Sequence, residues 1–235
     1  AIPTDVESLF GRRIAGISVE ARQILGALAI IRRFESPAFL ADVLGIPTSE
    51  LAHAFTDLVQ LGFVVRRLHN GELLFGFAND AAAATALRTI PDAKAAQVHL
   101  RVGEALQARQ SRGDDGTAVL VATHLLQSPE PHLGVAASQA ACAQLLATFC
   151  YSRAAELAQR ALVHAEGQRE RCALLTHLME AQTLRGDGKA AIDAATALLQ
   201  ELPNAQRPPV LLRMAELQLA QGLVRNALGD IETAL

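Results

Sequence analysis

Few residues of this sequence are spaced for chemistry. A phosphate-cradling loop of the GxxxxGK[ST] kind needs an upstream glycine, so that backbone N–H groups can wrap a phosphate. Gly186-Asp187-Gly188-Lys189 supplies a Gly-Lys pair, but Thr183 stands where the upstream glycine belongs. The four residues therefore read as a turn between helices. No HExxH, GxSxG or GxGxxG pattern occurs, so zinc-protease, hydrolase-elbow and dinucleotide-binding chemistry have no signature here. The seven histidines are scattered, and His164 and His177 fall on separate expected helices. Cys142, Cys150 and Cys172 are odd in number and lack CxxC spacing. That pattern points to buried, reduced thiols in a cytosolic protein rather than to disulfides or zinc. Cys150 stands beside Tyr151 but has no base indicated to activate it. The sequence reads as non-enzymatic, with no metal site.

The basic residues raise a second possibility, nucleic acid. A recognition helix enters the major groove with basic and amide side chains reaching out. The segment Thr48-Ser49-Glu50-Leu51-Ala52-His53-Ala54-Phe55-Thr56-Asp57-Leu58-Val59-Gln60 stands in that position, yet it has no Lys or Arg and carries two acids. Acids facing phosphates cost affinity. Arg32-Arg33 and Arg66-Arg67 are the basic clusters nearby, and adjacent strand residues such as Arg66 and Arg67 face opposite sides. Nucleic acid is not the expected partner of this segment.

The elements that hold these residues are legible. Leu9, Arg12, Arg13 and Ile14 form a helix-like lead-in. Ser18 is placed to cap a helix with Ala21 at N3 and an apolar stripe of Ile24, Leu25, Leu28 and Ile31. Ser36, Pro37 and Gly45 delimit a short helix, and Gly62 stops a third that carries Leu51, Phe55, Leu58 and Val59 on one face. Phe63–Leu68 and Leu73–Phe77 read as strands joined by Asn70-Gly71, a strong hairpin signal. Three helices and then a β-hairpin is the order of a winged helix. Helices are expected throughout the rest: Ala81–Thr89, a segment opened by Pro91 with Val98, Val102, Ala105 and Leu106, and Thr117–Gln127.

Composition agrees. The chain has 235 residues, 51% hydrophobic and 19% charged, with net charge −3. Wholesale disorder and general polyanion binding are excluded. The most apolar windows, around Ile24–Ile31 and Ala118–Leu126, are broken by charge or polarity well before the ~18 residues a membrane span needs, and Ala1-Ile2-Pro3-Thr4-Asp5 lacks the basic start of a signal peptide. Aromatics are 4% and there is no Trp, whereas 45 residues are Ala; that balance favours helix over sheet. Arg outnumbers Lys 19 to 2, a bias that a GC-rich genome would also produce.

The last third repeats. Phe149–Leu162, Gly186–Leu199 and Gly222–Leu235 align at offsets of 37 and 36 residues. Each copy carries an Ala (Ala154, Ala191, Ala227), a small or apolar residue seven on (Ala161, Leu198, Ala234) and then a Leu. Gly186 and Gly222 end the first helix of a pair, and Pro203 falls twelve residues after Ala191, where a copy should finish. The period is close to the roughly 34 residues of tetratricopeptide helix–turn–helix units, although the first-helix Trp of those repeats is missing. The expected fold is mainly α: a winged-helix domain at 1–78, connecting helices at 79–133 and an incomplete tetratricopeptide-like array at 134–235. With no initiator Met and no polar cap on the array, the chain reads as a piece of a longer protein.

Several stretches carry a family resemblance. Arg12-Arg13, Ile17-Ser18, Ala21-Arg22, Leu25 and Ala27 are similar to the segment that follows the ATPase core of STAND-type signalling ATPases, with the large ATP-binding LuxR-type bacterial transcriptional regulators the nearest group. Leu58-Val59 and Leu61-Gly62-Phe63-Val64 look like the family's helix entering the wing. Phe75-Gly76-Phe77-Ala78-Asn79-Asp80 resembles its F-x-F-x-H-D stretch, and Gln97–Leu106 loosely resembles its R-x-x-L-H stretch. The resemblance implies a regulatory segment without a nucleotide loop of its own, in a cytoplasmic signalling protein whose missing core uses ATP or ADP. Its repeats would bind an effector or partner protein. It also implies a nucleotide-linked role for Asn79 and Asp80, which match the family's His-Asp pair. Asn can donate or accept a hydrogen bond but cannot carry the histidine charge. A stand-alone tetratricopeptide-type adaptor is the alternative, followed by a winged-helix DNA-binding regulator.

Overall fold

The computed structural model describes residues 11, 13–113 and 115–234. Residues 1–5, Leu9, Arg12 and Leu235, which the sequence reading touches, lie outside these. The fold is mainly helical with one two-stranded antiparallel sheet. After Ala108 the chain divides into two compact units.

The first unit is built around α1 (Val19–Ile31). Ser18 caps it by accepting from the Ala21 N–H at 3.1 Å, a contact worth about 1 kcal/mol. Nine of its thirteen residues are buried, because α2 (Pro37–Leu44), α3 (Thr48–Gln60), α4 (Asp80–Arg88) and the hairpin all pack on it. Four of those nine are Gly or Ala, namely Ala21, Gly26, Ala27 and Ala29, so neighbouring backbones come close. Ser36 caps α2, again with its hydroxyl accepting from the N–H three residues on, that of Phe39. On α3 the buried residues are Leu51, Ala54, Phe55 and Leu58.

The hairpin joins β1 (Val64–His69) and β2 (Glu72–Phe77) in the register Val65–Gly76 and Arg67–Leu74. Asn70 and Gly71 both take positive φ, 50° and 82°, as the tight turn requires. Glu35, in the loop after α1, bonds Phe75 on the other edge of β2: each N–H donates to the other's carbonyl, at 2.9 and 2.8 Å. The first unit closes with α4 and α5 (Asp92–Gln110), all but the last two residues of which belong to it.

The second unit is a succession of helices. A short 3-10 turn, Asp115–Thr117, precedes α6 (Ala118–Leu125). Three helix pairs follow: α7 (Pro131–Ala147) with α8 (Tyr151–Leu162), α9 (Gln168–Leu184) with α10 (Gly188–Glu201), and α11 (Pro208–Ala220) with α12 (Val224–Ala234). Each helix packs on the next, an arrangement compatible with an α-solenoid. Ala154, Ala191 and Ala227, aligned by the sequence repeat, have no accessible surface. One core runs from Ala118 through Leu145 and Ala158 to Leu174 and Ala194.

The residue turning one helix into the next sits at the same repeat position in all three pairs and has positive φ in each: Phe149 (60°), Gly186 (79°) and Gly222 (77°). Glycine adopts that conformation freely, whereas a β-carbon is crowded there. Phe149 therefore holds a conformation its side chain disfavours. It is also 78% exposed, so the ring buries little, and its edge-on contact with Tyr151, 6.2 Å between centroids, offsets only part of the relief. Phe149→Gly is expected to raise stability by about 1 kcal/mol, read as a higher urea midpoint with unchanged slope.

His177 on α9 is half-buried, and its Nδ1 has no hydrogen-bond partner among the described residues. Burial lowers its pKa, and the nearby Glu180 carboxylate offsets this in part. The folded chain thus releases its proton more readily than the unfolded chain. The stability this confers is complete above the unfolded value of ~6.5 and is lost as pH falls from there toward the folded value. His177→Gln should show a smaller drop in urea midpoint between pH 7.5 and 5 than the unsubstituted chain.

Candidate functional site

The Asn79-Asp80 pair lies where β2 passes into α4 with only Ala78 and Asn79 between the elements. Phe75 anchors the strand side. Its ring packs on Phe55 of α3 at 4.4 Å between centroids, and its backbone carries the Glu35 bonds. The Ala78 N–H donates to the Phe63 carbonyl at 3.0 Å, which fixes the exit from the sheet. Asn79 is then extended, and its Oδ1 accepts from the Ala82 N–H at 2.8 Å. Asn79 is thus the N-cap of α4. Asp80 follows in the first turn, where a carboxylate is favoured by the positive end of the helix dipole. Both side chains are exposed. Alone they do not form a phosphate cradle. Asn79 offers one neutral donor, its Nδ2, and the Asp80 carboxylate repels an anion. A nucleotide contact here needs a partner surface that supplies cations.

Two of the four clustered arginines, Arg33 and Arg67, make internal side-chain contacts. Arg67 places its guanidinium 4.4 Å from the centre of the Phe34 ring. That ring lies on Gly76, where an added Cβ would stand 2.9 Å from it. Arg33 pairs with Glu35, which is almost wholly buried. Arg32 closes α1 in the left-handed conformation. Arg66 points to the opposite face of β1 from Arg67, as alternation requires. On α3 the exposed side chains include His53, Thr56, Asp57 and Gln60, so its solvent face offers acid and amide but no cation.

In the second unit, Gly186–Lys189 is a turn: Gly186 has positive φ, and Asp187 caps α10 by accepting from the Ala190 N–H at 3.1 Å. Of the three free thiols, only Cys142 is buried as expected; Cys150 and Cys172 are half-buried. They lie at helix ends rather than mid-core, Cys150 as the residue before α8 and Cys172 near the start of α9. Burial pushes the Cys142 thiol up to about 12, which makes it inert at neutral pH. Burial also raises Cys172, with Glu201 adding to the effect and Arg171 opposing it. His164 stands in the turn after α8 rather than on a helix. Among the described residues no group of His, Cys, Asp or Glu is arranged to hold a metal ion, and no helix is long and apolar enough to cross a membrane.

The Glu35 bridge and the Arg67–Phe34 stack have no sequence signal beyond single residues, since they join positions 33 to 40 residues apart. The left-handed Phe149 was open to inference, since it occupies the position held by Gly in the other two copies.

No family model matches the chain, and no curated protein matches it. A solved structure to which it is similar is a Signal Transduction ATPase with Numerous Domains (STAND) protein with a tetratricopeptide repeat sensor, from Pyrococcus horikoshii. The similarity spans 97% of this chain and 46% of that one, at 9% identity and a TM-score of 0.40. The chain thus spans less than half the length of that protein.

Asn79→Ala removes the α4 cap and should cost about 1 kcal/mol of stability. Asn79→Asp, which still accepts from the Ala82 N–H, should restore most of it; equal losses in the two variants would rule out the cap.

Proposed function

We propose that the chain is the non-catalytic regulatory segment of a bacterial STAND-type signalling ATPase, of the kind found in LuxR-type transcriptional regulators. The observation that carries this reading is the β2–α4 junction. There Phe75, Phe77, Asn79 and Asp80 follow the family's F-x-F-x-H-D stretch, and the last two residues stand exposed at a helix start. The order α1, Glu35 bridge, α2, α3, β1, β2 supports reading this part as a winged helix. That element would pack on an ATPase core which binds ATP or ADP; this chain supplies no phosphate loop and no catalytic residue. The helix pairs would bind an effector or partner protein, and the output would follow from a shift between packed and open arrangements. Engagement of Arg33 and Arg67 in internal contacts supports a protein rather than a nucleic-acid partner.

The purified chain should hydrolyse no ATP above the buffer rate; turnover near the ~1 s⁻¹ of ordinary enzymes would overturn the reading. In the parent ATPase, exchange of ATP for ADP should change hydrogen-exchange protection across residues 64–82. Identical protection in the two states would be equally fatal to it.

A further inference from the structure

A cleft of about 740 Å³ opens within the first unit, apart from the β2–α4 junction. That volume is in the range of small-molecule pockets. Two helices line it with the same spacing. From α1 come Val19, Arg22, Gln23 and Gly26; from α5 come Lys94, Gln97, Val98 and Arg101. Each set follows i, i+3, i+4, i+7, one face of a helix. Ile14, Val43 and Ile90 add apolar floor. Gly26 lets Ile90 close on α1 and complete that floor, since a Cβ there would stand 3.3 Å from Ile90 Cδ1.

The charge of the lining is one-sided. Among the described residues it includes Arg22, Lys94 and Arg101 and no Asp or Glu. None of the three cations has a carboxylate partner among the described residues. Arg101 is anchored by donating from Nη1 to the Leu44 carbonyl at 3.0 Å, which steadies its guanidinium at the rim. A helix face meant only for solvent usually mixes signs, and one meant only for packing is apolar. Here an apolar floor meets a rim that is cationic and amide-bearing.

We propose that this cleft binds a small amphipathic organic acid, with its apolar body on the floor and its carboxylate against the cationic rim. The complementarity of charge and polarity selects that class over a neutral lipid, which leaves the cations unmatched, and over a bare inorganic anion, which leaves the floor wet. The site goes beyond the regulatory reading and stands independently of it.

The test uses the 235-residue chain and the fluorescent apolar anion 8-anilinonaphthalene-1-sulfonate. Decanoate should displace the dye, while decanol, which has the same length without the charge, should need about tenfold more. Arg22→Glu and Lys94→Glu, both at exposed positions, should each weaken decanoate by about fivefold, with the far-UV spectrum unchanged. Arg160→Glu on α8 should leave binding as it was. Val98→Trp should fill the cleft and abolish binding. Should that variant fail to fold, the charge reversals still decide. Equal displacement by decanol, undiminished affinity in both charge reversals, or no dye binding to the unsubstituted chain would overturn the proposal.

Discussion

The structure depends on how closely its helices approach one another, and alanine sets that distance. Ala154, Ala191 and Ala227 have no accessible surface, because at each of these points a neighbouring helix occupies the space that a longer side chain would take. The same device operates in the first unit, where Ala21, Gly26, Ala27 and Ala29 let other elements close on α1. A chain with 4% aromatic residues lacks the large side chains that fill wide gaps between helices. Its core is therefore made by narrowing the gaps, and dense packing follows from short distances rather than from bulk. A larger residue at any of these positions strains the pair.

Local structure was legible in the sequence because it is set by neighbours. The Ser18 and Ser36 caps, the Asn70-Gly71 turn and the Gly45 and Gly62 stops each depend on one or two residues, and the structure places all of them as read. The repeat was legible for a different reason. Its small residues recur at one register, and three copies of the same turn, at Phe149, Gly186 and Gly222, share one left-handed conformation. The cleft was not legible, because its cations come from residues 22, 94 and 101 and acquire meaning only when α1 and α5 face each other. The half-buried state of Cys150 and Cys172 was missed because residue type predicts average burial, whereas position at a helix end decides it here.

The basic residues show how charge counts mislead without geometry. Read as a list, Arg32, Arg33, Arg66 and Arg67 form a positive cluster. In the fold Arg67 lies on an aromatic ring, Arg33 neutralises a buried carboxylate and Arg32 closes a helix. Of these, the charge of Arg33 is matched by an opposite one, which lowers the field the group projects toward a polyanion by that share. Among the described residues no carboxylate pairs with the cations of the cleft, whereas Arg33 is spent on Glu35; that separates structural charge from charge available for recognition.

The brevity of the link between β2 and α4 has a mechanical meaning. Two residues, Ala78 and Asn79, join a strand tied on both edges to a helix packed on α1, and both links are bonded, one to Phe63 and one to Ala82. Strand and helix are thereby held as one piece: Asn79 and Asp80 stand on a joint whose two linking residues are both hydrogen-bonded, beside a strand bridged to Glu35 just past the end of α1.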